Sequence, residues 1–145
     1  MNYIGLNPYE TANGPGIRVS LFVSGCSIHC KGCFNQASWS FKAGKIFTPE
    51  TKQLILTALE EPAISGFSLL GGEPFEPEHE DVLVDLCKDI TKPIWCWTGR
   101  ELNQIQDTKL IKYMHTIISG PYKEDLKVNH IYYGSSNQHI NYLRK

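Results

Sequence analysis

Cys26-Ser27-Ile28-His29-Cys30-Lys31-Gly32-Cys33 sets three thiols in a Cys-x-x-x-Cys-x-x-Cys pattern directly after the apolar run Val19-Ser20-Leu21-Phe22-Val23. A loop this short can turn all three thiolates onto one small object, and soft thiolates suit zinc or an iron–sulfur cluster. A closed iron–sulfur site usually takes four thiolates. Three predict that one iron keeps an exchangeable position for a ligand that is not protein. The same spacing admits a zinc site made from Cys26, His29, Cys30 and Cys33, and it also admits cysteines that only pack or undergo redox chemistry.

The segments on either side explain where such a loop would sit. Asn13-Gly14-Pro15-Gly16 is a turn, and Ile17 to Val23 reads as a strand that runs straight into the cysteines. Thr48-Pro49 is a helix start, with a hydroxyl cap and a proline at the first helical position, and Leu54, Ile55, Ala58 and Leu59 recur at helical spacing until Pro62. Gly66 to Leu70 predicts a second strand ending in Gly71-Gly72-Glu73-Pro74. A helix with Val82, Leu83, Leu86, Cys87 and Ile90 on one face follows Pro77. Pro93 to Trp97 predicts a third strand ending at Thr98-Gly99, weaker helical signals run from Leu102 to Met114, and Thr116 to Ile118 predicts a fourth strand ending at Ser119-Gly120-Pro121. Strands that each end in a glycine-bearing turn and lead into a helix predict an α/β fold with a parallel sheet. Its ligand sites would lie along the carboxyl edge. Between Gln36 and Phe47 the chain reads as an ordered connection whose aromatics, Trp39 and Phe41, serve as lid or core packing.

The chain has 145 residues and no internal repeat or interdomain linker, so residues 1–145 read as a single domain. A closed eight-stranded barrel usually needs about 250 residues, so a barrel built from this chain must be open. Fourteen basic against fifteen acidic side chains give a formal charge of -1, which excludes an electrostatic preference for nucleic acid or anionic membrane. No signal peptide or membrane span is readable, which predicts a cytoplasmic protein. The odd count of five cysteines argues against a disulfide framework.

At this point the residues resemble a family. The three cysteines followed by Phe34 look like the signature of radical S-adenosylmethionine enzymes, and Gly71-Gly72-Glu73-Pro74 resembles the segment with which they hold the methionine part of that cofactor. Asn13 to Gly16, Trp97-Thr98-Gly99 and Gly134-Ser135-Ser136-Asn137-Gln138 narrow the resemblance to activating proteins of anaerobic ribonucleoside-triphosphate reductases, over essentially the whole chain. The resemblance implies an open, shortened, partial TIM-like (βα) barrel. It implies a [4Fe–4S] cluster on Cys26, Cys30 and Cys33, whose fourth iron takes S-adenosylmethionine. It implies cofactor contacts from Gly32, Cys33, Phe34, Gly71, Gly72 and Glu73, with no catalytic residue beyond cluster and cofactor. Reductive cleavage would give methionine and a 5′-deoxyadenosyl radical that abstracts hydrogen from a glycine of the reductase. Reduced flavodoxin or ferredoxin would be the electron donor, and a homodimer is implied as well. The alternatives are an activase of another glycyl-radical enzyme such as pyruvate formate-lyase, a small-molecule radical enzyme such as a deazapurine synthase, and a non-enzymatic zinc-binding module.

Two positions depart from the family pattern: Tyr133 stands where an arginine is usual, and Ser119 where an acidic residue is common. Gly134 to Gln138 reads as a flexible tail by composition and is promoted only by the resemblance. Cys87 reads as a small buried hydrophobe on its helix face. His79, His115, His130 and His139 show no ligand spacing with the cysteines and read as surface or structural, while His29 reads as solvent-facing unless zinc is bound.

Overall fold

The structure is a computed structural model that describes residues 1–33 and 36–144. Among the described residues it contains a mixed seven-stranded sheet in the order β3-β1-β2-β4-β5-β6-β7. The strands are β1 (Asn2–Glu10), β2 (Ile17–Val23), β3 (Lys45–Ile46), β4 (Ile64–Gly71), β5 (Ile94–Trp97), β6 (Thr116–Ser119) and β7 (His139–Tyr142). The four central strands, β2, β4, β5 and β6, run parallel. The flanking pairs β1–β2, β1–β3 and β6–β7 are antiparallel, and β3 and β7 leave the sheet open. The helices are α1 (Pro49–Leu59), α2 (Glu80–Cys87) and the single turn α3 (Leu102–Ile105).

The parallel strands match the sequence expectation because their residues suit burial on both faces. Val19, Leu21 and Val23 of β2, Phe67 and Leu69 of β4, Ile94 and Cys96 of β5 and Ile117 of β6 point into one core. Ile55 and Leu59 of α1 and Leu83, Leu86 and Cys87 of α2 close that core. Thr48 caps α1 as expected: its hydroxyl accepts from Thr51 N–H, while the Thr51 hydroxyl accepts from Thr48 N–H, each at 3.2 Å. Leu54, expected on the buried face of α1, is instead 64% exposed, one position out of phase with Ile55 and Leu59.

The opposite sheet face is polar near the amino ends of the strands. Arg18 is buried there, and among the described residues its guanidinium forms no salt bridge. Its guanidinium donates to Ser68 Oγ at 2.8 Å and to the carbonyls of Pro15, Phe67 and Pro93 at 3.1 Å each, and it lies 5.8 Å from the Trp95 ring centre. Desolvation lowers its pKa to about 10. Arg18 thus fastens the middle of β4 and the residue before β5 to the start of β2.

Candidate iron–sulfur site

The cysteine loop is fixed by extensions of the sheet. Beyond the last β2–β4 ladder pair, Val23 with Gly71, Gly72 N–H donates to Val23 C=O and Glu73 N–H to Gly25 C=O, both at 2.8 Å. The loop is gripped from its other side by the segment that follows it, through Gly25 N–H to Ser38 C=O at 2.7 Å and Cys26 N–H to Trp39 C=O at 3.0 Å. The double glycine is required by this packing. Gly71 has φ +120°, in the region that favours glycine, and a Cβ there would stand 2.5 Å from Val23 backbone atoms. A Cβ at Gly72 would stand 2.5 Å from Gly25 O and 2.9 Å from Ser38 O. The space above Gly72 is therefore filled by the backbone of the cysteine loop.

Cys26, Cys30 and Cys33 line one cavity of about 460 Å³ at the carboxyl edge of the parallel strands. Gly71 to Glu73 at the end of β4, Trp97 to Gly99 at the end of β5, and Gly120 and Tyr122 after β6 line the same cavity. The four loops expected to converge do so. Gly32 lies in the cysteine loop at φ +75°, with the Glu124 side chain where a Cβ would be. Phe34 lies outside the described residues.

Two carboxylates organise this edge. Glu73 is buried, and its Oε2 accepts from Phe75 N–H at 2.9 Å and from the Thr98 hydroxyl at 2.6 Å, while Oε1 accepts from Gly99 N–H at 2.7 Å. It ties the end of β4 to the end of β5. Burial pushes its pKa up, against the opposing pull of those three donors and Arg100. Glu76, which sequence reasoning did not single out, is also buried. It accepts from Ser27 N–H, from Ser27 Oγ at 2.9 Å and from Arg100 Nη2 at 2.6 Å. It holds the residue after Cys26 to the turn after β5. The signal that could have found it is its place three residues after Glu73 in an apolar setting, Pro74-Phe75, where a carboxylate needs donors.

The remaining expectations sort as follows. Cys87 and Cys96 are core residues; burial pushes the Cys87 thiol up to about 12 and that of Cys96 well above its ordinary value. His79 is buried and structural, its Nδ1 lying 3.0 Å from Glu73 C=O. His29 is exposed, and its ring stacks on Trp39 with centroids 4.3 Å apart and planes 6° apart. Gly134 to Gln138 is not a loose tail: Ser135 is buried, Gln138 Oε1 accepts from the backbone of Gly134 and Ser135, and Asn137 and Gln138 donate to the carbonyls of Pro121 and Gly120. Gln138 reaches the cavity lining. Of the two departures from the family pattern, Ser119 is buried with its hydroxyl accepting from Asn141 Nδ2 at 2.9 Å, and Tyr133 stacks on His130 at the cavity rim.

The donor set fits an iron–sulfur cluster. Its cube presents several irons, each taking one thiolate, so three thiols spread around one cavity suit three corners. Among the described residues no three His, Cys, Asp or Glu side chains gather on a single-ion position. Burial pushes the Cys26 and Cys30 thiols up, so metal must displace protons from them to bind.

Comparison with known proteins agrees with this chemistry. A family model described as a 4Fe-4S single cluster domain matches residues 12–141. The anaerobic ribonucleoside-triphosphate reductase-activating protein of Enterobacteria phage T4 is 35% identical, over 97% of this chain and 93% of its own length. The proteins of the same name from Haemophilus influenzae and Escherichia coli K12 are 37% and 35% identical, covering 97% and 99% of this chain and 97% and 100% of their own. With relatives this similar from end to end, the chain belongs to the anaerobic ribonucleoside-triphosphate reductase-activating protein family and carries its 4Fe-4S single cluster domain.

Proposed function

We propose that this protein activates an anaerobic ribonucleoside-triphosphate reductase by generating a glycyl radical on it through reductive cleavage of S-adenosylmethionine. The observation that carries the reading is the meeting of Cys26, Cys30 and Cys33 with Gly71 to Glu73 in one cavity at the carboxyl edge of a parallel sheet. In this reading the open sheet is a shortened, partial (βα) barrel of the radical S-adenosylmethionine type.

When bound, a [4Fe–4S] cluster supplies the single electron that the cleavage needs. The protein's own residues bind and orient. Cys26, Cys30 and Cys33 would hold the cluster through three thiolates and leave a position on it open to the cofactor. Gly32 and the backbone of Cys33 would meet the adenosyl end. Gly71 and Gly72 bring strand β4 under the cysteine loop, and Glu73 fixes Thr98 and Gly99 at the cavity wall. A carboxylate has about four lone-pair positions, and three are used by protein donors, so Glu73 keeps about one for a ligand ammonium. The open sheet leaves the cavity to be covered by the glycine-bearing loop of the reductase, which would keep solvent from the radical chemistry. Reduced flavodoxin or ferredoxin would supply the electron, in the cytoplasm, and the activase would work as a homodimer.

The test is anoxic reconstitution followed by addition of S-adenosylmethionine, reductant and an anaerobic ribonucleotide reductase. A glycyl radical on the reductase, seen by electron paramagnetic resonance, is the expected result. A reductase that stays radical-free while pyruvate formate-lyase or a deazapurine precursor is turned over would overturn the substrate assignment. A colourless protein holding one zinc would overturn the cluster.

A further inference from the structure

Residues 126 to 136 form a small hairpin that builds one wall of the cysteine cavity. Val128 N–H donates to Gly134 C=O at 3.0 Å, Ser136 N–H donates to Leu126 C=O at 2.9 Å, and Lys127 pairs with Ser135 in an antiparallel bridge. The tip is anchored from β5. Trp97 Nε1 donates to Tyr132 C=O at 2.7 Å, and the Tyr132 ring meets Trp95 edge-on with centroids 5.0 Å apart. Val128 and Ile131 line the same cavity as Cys26, Cys30 and Cys33, yet they are 38% and 75% exposed. A single exposed isoleucine is ordinary. Two apolar side chains on an anchored tip at the mouth of a reaction cavity make a contact surface.

We propose that this tip is the docking lip for the segment of the reductase that carries the target glycine. The inference rests on the function proposed above and adds where its protein substrate is gripped. Glycine has no side chain to recognise, so the grip must fall on the residues flanking it and on their backbone. Apolar flanking side chains buried against Val128 and Ile131 supply that grip, and the anchored hairpin avoids the ordering cost of a loose loop. The lip is continuous with the cavity wall, so a segment seated on it also covers the cavity mouth. A second copy of this chain seated there would bar the cavity from that substrate. Val128 and Ile131 are binding contacts and take no part in the cleavage.

The experiment uses the reconstituted holoenzyme with S-adenosylmethionine, reductant and an anaerobic ribonucleoside-triphosphate reductase. The initial rate of glycyl-radical formation, read by electron paramagnetic resonance, is measured against reductase concentration. Wild type is compared with Ile131→Ser, Val128→Thr, Ile131→Leu and, on the exposed face of α1 outside the cavity lining, Leu54→Ser. Losing one buried isoleucine contact weakens association about tenfold, so Ile131→Ser should raise the reductase concentration for half-maximal rate about tenfold while keeping the rate at saturation. Val128→Thr should raise it less, and Ile131→Leu and Leu54→Ser should match wild type. A wild-type concentration dependence in Ile131→Ser overturns the proposal, as does an equal effect of Leu54→Ser. Weaker S-adenosylmethionine binding in Ile131→Ser at unchanged reductase dependence overturns it in favour of a cofactor contact. A dimer that becomes a monomer on sedimentation, again at unchanged reductase dependence, overturns it in favour of self-association. If Ile131→Ser loses iron, Val128→Thr decides by the same criterion. A wild type that forms no glycyl radical on the reductase defeats the functional reading, and this inference with it.

Discussion

Replacing Glu76 should loosen the cysteine loop without touching a cysteine. Its buried carboxylate receives three donors, two from Ser27 and one from Arg100. Glutamine has the same shape but must point its NH2 group either at Ser27 N–H or at the Arg100 guanidinium, so one charge-assisted bond is replaced by two opposed donors. Hydrogen bonds to a charged group contribute about 1.5–3 kcal/mol, and Arg100 is part-exposed, so Glu76→Gln should cost about 2 kcal/mol. Glu76→Ala also empties the volume and leaves a partly buried guanidinium unpaired, for about 3–4 kcal/mol. For a chain near 150 residues these become drops in Tm of about 4–8 °C and about 6–16 °C. Calorimetry on the metal-free protein reads this directly, with exposed Glu78→Gln as a control expected within about 0.5 kcal/mol of wild type. A double-mutant cycle of Glu76→Gln with Ser27→Ala should be non-additive, because the two share a bond. The reasoning is refuted if Glu76→Gln matches the Glu78 control, or if the cycle is additive.

Cys30→Ala should lose the cluster while Cys87→Ala keeps wild-type iron and loses only stability, about 1 kcal/mol for a small core truncation; equal iron loss in both would break the three-ligand assignment. Gly72→Ala should cost about 1–3 kcal/mol and lower iron uptake, because its methyl group meets Gly25 and Ser38 backbone; full iron content with only weaker S-adenosylmethionine binding would mean that the space above Gly72 belongs to the ligand after all. For pH, burial holds the His79 imidazole below its ordinary value, so the unfolded chain takes up a proton first as pH falls. The contribution of His79 is therefore fully present above about pH 6.5 and lost below it, and His79→Gln should flatten stability between about pH 7.5 and 5.5. Comparison of the two proteins isolates this from Glu73, whose upward shift has the opposite sign, and an unchanged slope would show that His79 is not responsible.

The parallel strands, both long helices and the convergence of their loops were legible because each rests on local chemistry: β-branched runs, a Thr-Pro helix start, and glycine after every strand. The flanking strands were not. β1 carries Gly5, Asn7 and Pro8, residues that weaken strands, and its register against β2 shifts twice, so its place depends on pairing with a segment already in the sheet. The Gly134 to Gln138 turn looks like a solvated tail in composition, and it is ordered by contacts distant in sequence, among them the carbonyls of Pro121 and Gly120, while β7 depends on pairing with β6. In the site, the cysteines and Gly71-Gly72-Glu73 announced themselves through spacing. Glu76 and Arg100 did not, since their meaning lies in a contact across 24 residues. The double glycine also has a packing role that spacing could not show, since a Cβ at either position would meet the backbone of Val23, Gly25 or Ser38.

The three thiols do not start from equal freedom. Cys26 donates its N–H to Trp39 C=O and follows Gly25, whose C=O accepts from Glu73 N–H, whereas Cys30 and Cys33 lie on the outer turn, which closes through Cys33 N–H to Cys30 C=O at 3.1 Å. Cys26 is thus a fixed mooring post, and the other two are the line thrown after it. Ordering a residue costs about 1–2 kcal/mol of backbone entropy, and for Cys26 folding has already met that cost before any iron arrives. Assembly would accordingly run from the inside outward, and a cluster destroyed by oxygen could be rebuilt on the same post with the sheet intact. Repeated cycles of air exposure and reconstitution that leave far-ultraviolet circular dichroism constant would bear this out, and progressive loss of that signal would contradict it.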